Sequence, residues 1–355
     1  MENLKEKICN FDSLYAAMLK CSRGVKWKDS VAGFLKNGIP NCMKLESDLS
    51  TGKYKISKYS KFVVYEPKKR DIVSTRYVDR VFQRSMCDEY LIHELTKRFI
   101  YDNGACLKHK GPDFARGRVQ CFMERYYRRY GAEGYFLKCD VKDFFGSLSH
   151  EVAKREMRKY VSNDFVYGEV CRIIDSFDGE QGIGLGSEVS QLIMTTMLNR
   201  LDHVVKEKLR CQYYERYMDD MVFISGSKRY LQRCREVVEE ELSRLGLRLN
   251  RRKTQIVTLA QGIDFLGFKW RLSPTGKILK SLLRTKATHE KRKLKRQARV
   301  VSAEKLKECF RSWREHARKA TYRKYIIRKL ENLFRRLLKY GNNQIPKGAA
   351  ARGCA

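Results

Sequence analysis

The chain has 355 residues, with 75 Lys or Arg against 41 Asp or Glu and a formal net charge of +34. That length holds two or three subdomains with a sizeable core, and so one-sided a charge calls for a polyanionic partner, either nucleic acid or an anionic membrane. No apolar run is long enough to span a bilayer, and the N-terminal "MENLKEKICNFDSLYAAMLK" lacks the basic-then-apolar layout of a signal peptide, so the expectation is nucleic acid, no membrane and a cytoplasmic setting. The 12 cysteines are scattered, with no C-x-x-C pair and no accompanying histidine cluster, which points to reduced, buried thiols and not to zinc or a disulfide framework.

Residues 1–50 read as helical pieces with basic and apolar faces. "KFVVYEPKKRDIVS" (61–74) reads as two strands around a turn at Pro67. In "DRVFQRSMCDEYLIHELTKRF" (79–99), Val81, Met86, Leu91, Ile92 and Leu95 share much of one helical face. "YFLKCDVKDFF" (135–145) reads as a strand running into a turn. Residues 188–209 and 230–250 read as helices, the second ending near Gly246, and "GIDFLGFKWRL" (262–272) as a short hairpin. After Pro274 the composition shifts. Residues 276–340 hold 23 Lys or Arg against 5 Glu and no Asp, and their periodic Leu, Ile and Phe predict two or three helices with basic outer faces. Ordinary exposed helices mix signs, so this excess points to a polyanion. The tail "GNNQIPKGAAARGCA" reads as disordered.

Two adjacent carboxylates, Asp219 and Asp220, stand between "CQYYERY" and "MVFIS", both of which suit strands. A tight hairpin would present them at its tip. A surface turn is the bland alternative, since Asp is common there. The apolar and aromatic flanks place the turn over a core, where carboxylates need a cation. Asp140 ends the apolar strand "YFLKC", with Asp143 three residues on. If the two strands are neighbours, Asp140 and Asp219 converge. Oxygen-only ligands favour Mg²⁺, and two such ions about 4 Å apart activate a hydroxyl and stabilise a leaving pyrophosphate.

"YMDD" between two strands resembles the catalytic hairpin of reverse transcriptases, and "DVKDFF" resembles their first catalytic motif. "GLGSEVSQ" (184–191) occupies the place of the middle motif, with Gln191 where many members have Pro. "LNRRKTQIV" is similar to the family's Lys-Thr segment, "FLGF" (265–268) to its primer grip, and "KKRDIVSTRYVDRVFQR" to the fingers of bacterial reverse transcriptases. Six motifs run in family order over roughly residues 60 to 270. The Ser-Gln form of the middle motif resembles defence-associated and diversity-generating-retroelement enzymes.

The resemblance implies an α+β right-hand polymerase fold. Residues 1–60 would be an N-terminal helical extension, 61–134 fingers, 135–272 palm with some fingers elements, 273–340 a basic helical thumb and 341–355 a tail. It implies catalysis by Asp140, Asp219, Asp220 and Lys253, the last a proton donor to pyrophosphate or a contact to the template backbone. Metal ligands would be Asp140, Val141 through its carbonyl, Asp219 and, less directly, Asp220, holding two Mg²⁺ ions, with Mn²⁺ as a substitute. Nucleotide contacts would come from Lys69, Arg70, Arg76, Phe145, Leu185, Gly186, Gln191 and Met218. Phe145 would be the ring that excludes a 2′-hydroxyl, with Phe144 in the core. Leu185 replaces the glutamine that many members place near the nucleotide. The implied partners are a noncoding RNA template, a DNA or RNA primer or cDNA product, and deoxynucleoside triphosphates, with an accessory protein or a second copy also open. The implied activity is RNA-directed DNA synthesis in antiphage defence. Adenine-directed mutagenic copying in a diversity-generating element is the alternative, and a nonenzymatic RNA-binding scaffold the other.

Overall fold

A computed structural model describes residues 4–65, 70–184, 186–321 and 323–341 of the chain. The expected turn at Pro67 and most of the tail read as disordered lie outside the described residues. Four helices open the chain: α1 (Leu4–Cys9), α2 (Phe11–Ser22), α3 (Asp29–Lys36) and α4 (Gly38–Ser50). Asn10 caps α2 by accepting from the Ser13 amide at 2.8 Å, which satisfies one of the amides a helix start leaves unpaired. β1 (Ser60–Val64) and β2 (Arg70–Ser74) form an antiparallel pair, as the sequence pattern predicts.

α5 (Tyr77–Met86) runs through a π-helical turn, Cys87–Leu91, into α6 (Ile92–Thr96). The helix expected over 79–99 is therefore one element with an extra residue in its middle. Val81, Met86, Leu91 and Leu95 are buried and Ile92 is half-buried. The N-terminal helices pack on α5: the Tyr77 hydroxyl donates to the Met18 carbonyl at 2.7 Å and the Ser85 hydroxyl to the Ile8 carbonyl at 2.6 Å. No expectation covers α7 (Pro112–Tyr130), α9 (His150–Arg158) or α10 (Asp164–Asp175).

β3 (Tyr135–Asp140) leads through Asp143, in left-handed conformation, into the single turn α8 (Phe144–Ser147). The helix expected over 188–209 is broken at Leu198 into α11 (Glu188–Met197) and α12 (Asn199–His203), followed by a π-helical turn, Val204–Lys208. β4 (Tyr214–Tyr217) and β5 (Asp220–Ser225) form the hairpin. α13 (Lys228–Ser243) ends three residues before Gly246, whose φ is +71°. With β6 (Gln255–Thr258) the strands make a sheet ordered β4-β5-β3-β6, so the strands bearing Asp140 and Asp220 are neighbours.

The expected 262–272 hairpin is β7 (Ile263–Phe265) and β8 (Phe268–Leu272), extended by an unexpected third strand, β9 (Ile278–Leu282). Its two-residue loop has positive φ at both Leu266 and Gly267, the backbone twist that suits an antiparallel pair. Three helices follow: α14 (Arg284–Gln297), α15 (Ala303–Arg318) and α16 (Lys324–Gly341). Leu294, Leu306, Phe310 and Leu330 form their core, with Phe310 stacked on Phe334 at 4.4 Å.

The chain forms two compact units. One comprises Met1–Arg118, Leu137–Phe223 and Arg229–Gln255; the other comprises Val119–Phe136, Ile224–Lys228 and Ile256–Ala355. The described cysteines are free thiols, and no helix among the described residues is long and apolar enough to cross a membrane.

Candidate active site

The β4–β5 pairing brings Tyr217 opposite Asp220, which leaves a two-residue loop of Met218 and Asp219. Only Asp219 is thus at the tip, and Asp220 begins β5, a refinement of the expectation that both acids cap the turn. Met218 has φ +55°, a conformation that favours glycine at this loop position and that costs a non-glycine residue about 1–3 kcal/mol.

Arg216 holds this strained tip. Its Nη1 donates to the Met218 carbonyl and its Nη2 to the Thr195 carbonyl, both at 3.1 Å. The rest of the guanidinium is bound to Asp202, Nε at 2.8 and 3.0 Å and Nη2 at 2.6 Å, in a pair with no solvent exposure on either side chain. Tyr214 adds a hydroxyl bond to Asp202 at 2.7 Å. The Met218 sulfur lies 3.6 Å from Cys106 Sγ and 3.4 Å from Thr195 Oγ1, while Cys106 Sγ donates to Gln191 Oε1 at 3.6 Å. Two expected nucleotide contacts, Gln191 and Met218, are therefore joined through Cys106.

Asp140, Asp219 and Asp220 concentrate negative charge at the end of the sheet. Burial first, then the charges of Asp220 and Asp140, push the Asp219 carboxyl up to about 6. Burial also raises Asp220, opposed by Lys138. Lys138 Nζ pairs with Asp220 Oδ1 at 3.2 Å. Lys253 Nζ binds both oxygens of Asp140, at 2.6 and 2.7 Å.

An oxygen-only set of this kind suits a hard divalent cation. Val141 adds to it. In its antiparallel bridge with Leu249, the flanking bonds are Lys142 N to Arg248 O and Asn250 N to Asp140 O, so the bridge leaves the Val141 carbonyl unused. Among the described residues no three Asp, Glu, His or Cys side chains stand around one point as a metal cluster. Asp140 instead faces the Lys253 ammonium. The donor chemistry fits Mg²⁺, with Lys253 the competing charge on Asp140.

A family model for reverse transcriptase (RNA-dependent DNA polymerase) matches residues 73–270, more than half of the chain. The chain belongs to the reverse transcriptase family. Among solved structures, it is similar to the apo telomerase of Candida tropicalis truncated from its C-terminal domain (TM-score 0.50, 15% identity, 69% of this chain and 60% of that one). It is also similar to the telomerase of Candida albicans in complex with a TWJ fragment of telomeric RNA (TM-score 0.50, 14% identity, 79% of this chain and 55% of that one). At such identities the likeness is one of fold, and this chain spans 60% or less of the length of those chains. No curated protein matches it. The fold is the expected α+β right-hand polymerase fold.

In this chain Phe144 is buried at 3% exposure and Phe145 is half-buried beside it, their rings 5.8 Å apart and edge to face. Gly186 packs on β2: a Cβ there would stand 2.8 Å from the Val73 carbonyl. Among the described residues Arg76 is paired with no acid; it precedes α5, and its Nε donates to the Lys58 carbonyl at 3.3 Å. Arg70 begins β2, and the Lys69 and Leu185 assignments lie outside the described residues. Sequence reasoning misses Lys138, although it lies two residues before Asp140 and the two-residue strand period puts both on one face. It also misses Arg216, Asp202 and Cys106, for which no local pattern exists.

Proposed function

We propose that this chain is an RNA-directed DNA polymerase that copies a partner noncoding RNA by two-metal nucleotidyl transfer. The observation that carries the reading is that Asp140, Asp219 and Asp220 lie near enough at the ends of neighbouring strands for the first and last to raise the Asp219 carboxyl, in a reverse transcriptase fold. Asp140 and Asp219, with the Val141 carbonyl, would hold the ions, and Lys138 offsets part of the burial that raises Asp220 at the rim of the set. When bound, two Mg²⁺ would acidify the primer 3′-hydroxyl and offset charge on the leaving pyrophosphate. Lys253, already on Asp140, stands ready to donate a proton to that leaving group. Phe145 limits the space at the sugar edge, and Gln191, Met218 and Gly186 shape the nucleotide pocket. Residues 61–134 serve as fingers, 135–272 as palm and the basic helices of 273–340 as thumb, with 1–60 an extension.

The "GSEVSQ" of the middle motif departs from the "GNLTSQ" commoner in diversity-generating elements, which favours a setting in antiphage defence over mutagenic diversification. The RNA named with the Candida albicans telomerase is in keeping with an RNA partner here. Primer extension with deoxynucleotides and Mg²⁺, on RNA and on DNA templates, tests the activity. Extension on RNA that stops on chelation supports it; no extension on either template refutes it and leaves an RNA-binding scaffold.

A further inference from the structure

Glu188 opens α11, and its carboxylate is gripped from α5. Arg84 Nη1 donates to Glu188 Oε2 at 2.7 Å and to Oε1 at 3.0 Å. The other edge of the same guanidinium binds Asp88, Nη2 to Oδ1 at 2.7 Å and Nε to Oδ2 at 3.0 Å. Lys20 of α2 also donates to Asp88 Oδ2, at 2.8 Å. One planar arginine thus joins two carboxylates on different elements, with an ammonium from a third behind it. Charge-assisted forks of this kind fix orientation as well as distance. Burial pushes the Glu188 carboxyl up, and the Arg84 charge opposes it. At 29% and 38% side-chain exposure the pair adds little to overall stability, so its removal reads locally, at α11, and not in the unfolding midpoint.

The fork sits where it can steer the site. Gly186 packs on the Val73 carbonyl, Ser187 Oγ accepts from Ser190 N at 3.1 Å, and Glu188 takes Arg84, so three consecutive residues each have a different anchor. Glu188, Gln191 and Thr195 are spaced i, i+3 and i+7 and share one stripe of α11. Gln191 accepts from Cys106 Sγ, and Cys106 Sγ and Thr195 Oγ1 both touch the Met218 sulfur. The stripe therefore begins at the Arg84 fork and ends on the loop that carries Asp219. "GSEVSQ" has Glu188 where "GNLTSQ" has leucine, which cannot take a guanidinium, so the fork is no part of that commoner motif.

We propose that Arg84 and Glu188 are positioning residues: their fork sets the placement of α11 and, through Gln191 and Met218, the fit of the incoming deoxynucleotide. The effect on the nucleotide rests on the polymerase reading; the hold on α11 does not. Neither side chain has to touch substrate. Lys20 ties the N-terminal helices to the same fork through Asp88. A helix moves as a rigid body, so a shift in its first turn is carried to Gln191 one turn on, and small misplacements in a site are costly.

The test compares wild type with Glu188→Gln, Arg84→Gln and the double variant. The control is Arg200→Gln, which breaks another pair between helices, Arg200 with Glu241 at 2.8 Å. Amide hydrogen exchange over residues 188–197 and the kinetics of single-nucleotide incorporation are measured on the full chain. Each single variant should speed exchange in α11 and raise the deoxynucleotide KM, both about tenfold, with kcat within about threefold of wild type. The double variant should be within about threefold of either single, because both remove one interaction. The control should leave exchange in α11 and KM within about twofold. Unchanged exchange in α11 overturns the inference. So does faster exchange with unchanged KM, or a fall in kcat alone, which would mark a merely structural pair whose loss leaves less active enzyme. Effects on KM that multiply in the double variant also overturn it, since the two residues would then act separately. If wild type extends no primer while exchange in α11 still rises in both variants, the polymerase reading fails and the hold on α11 stands.

Discussion

Arg216→Met is the substitution that best separates what holds this fold from what shapes its site. The change removes five hydrogen bonds: three to Asp202, one to the Met218 carbonyl and one to the Thr195 carbonyl. Asp202 would remain fully buried with a single donor, the Tyr214 hydroxyl. Stranding a buried charge in this way costs about 3–5 kcal/mol. The double variant Arg216→Met/Asp202→Leu replaces both charges by apolar groups and should recover much of that loss, the Tyr214 hydroxyl and the two carbonyls left without these partners keeping it short of the parent. It does not return a donor to the Met218 carbonyl. The strained tip would loosen, and a displacement of about 1 Å at a reacting group costs on the order of a hundredfold in rate. Urea denaturation followed by circular dichroism reads the first effect, and single-nucleotide incorporation reads the second. A loss below about 1 kcal/mol for Arg216→Met would refute the buried-pair argument. Full incorporation by a stable double variant would refute the claim that Arg216 positions the tip.

Glu215 gives a pH prediction: it is fully buried, neither carboxyl oxygen has a hydrogen-bond partner among the described residues, and burial, then the charge of Asp102, push it up to about 9. The fold therefore binds a proton that the unfolded chain releases above about 4.5, so this group's contribution is complete below that value and is lost as pH rises toward 9, at up to about 1.4 kcal/mol per unit. Glu215→Gln should flatten the fall in stability between pH 6 and 8, roughly the middle of that range, and an unchanged slope in denaturation midpoints would contradict it. Phe145→Ala should raise ribonucleotide use over deoxynucleotide use by at least about tenfold, whereas Phe144→Ala should mainly lower stability; competing incorporation tests both, and the reverse pattern would shift the assignment by one residue. Replacing the exposed Lys291, Arg292 and Lys295 of α14 with Gln should flatten the salt dependence of template–primer binding by up to about 2–3 units of log-log slope, and an unchanged slope would mean that α14 faces away from the duplex.

What could be read ahead of the structure was local. α13 and the 262–272 hairpin follow from period and turn chemistry, and Asp140 and Asp219 stand out because carboxylates in β-forming runs need a reason. What could not be read depends on distance in sequence. The register that sets Asp219 at the tip and Asp220 in a strand is fixed by Arg216, which answers to Asp202 and Thr195 on other elements. The break at Leu198 interrupts a run whose apolar period continues across it. α7 went unread because its buried positions, such as Ala115, Val119 and Met123, alternate with closely spaced arginines that blur the apolar face. β9 has only half-buried residues before Leu282 and so lacks a strong alternation.

The central claim is that the Asp140, Asp219 and Asp220 cluster performs metal-dependent nucleotide addition on an RNA template. The most direct measurement is the single-turnover rate of deoxynucleotide addition to an RNA-templated primer by wild type and by Asp219→Asn, with template–primer affinity measured in parallel. The account predicts a fall of at least about a thousandfold in rate with affinity and unfolding midpoint nearly unchanged. Addition by Asp219→Asn at close to the wild-type rate in Mg²⁺ would contradict it.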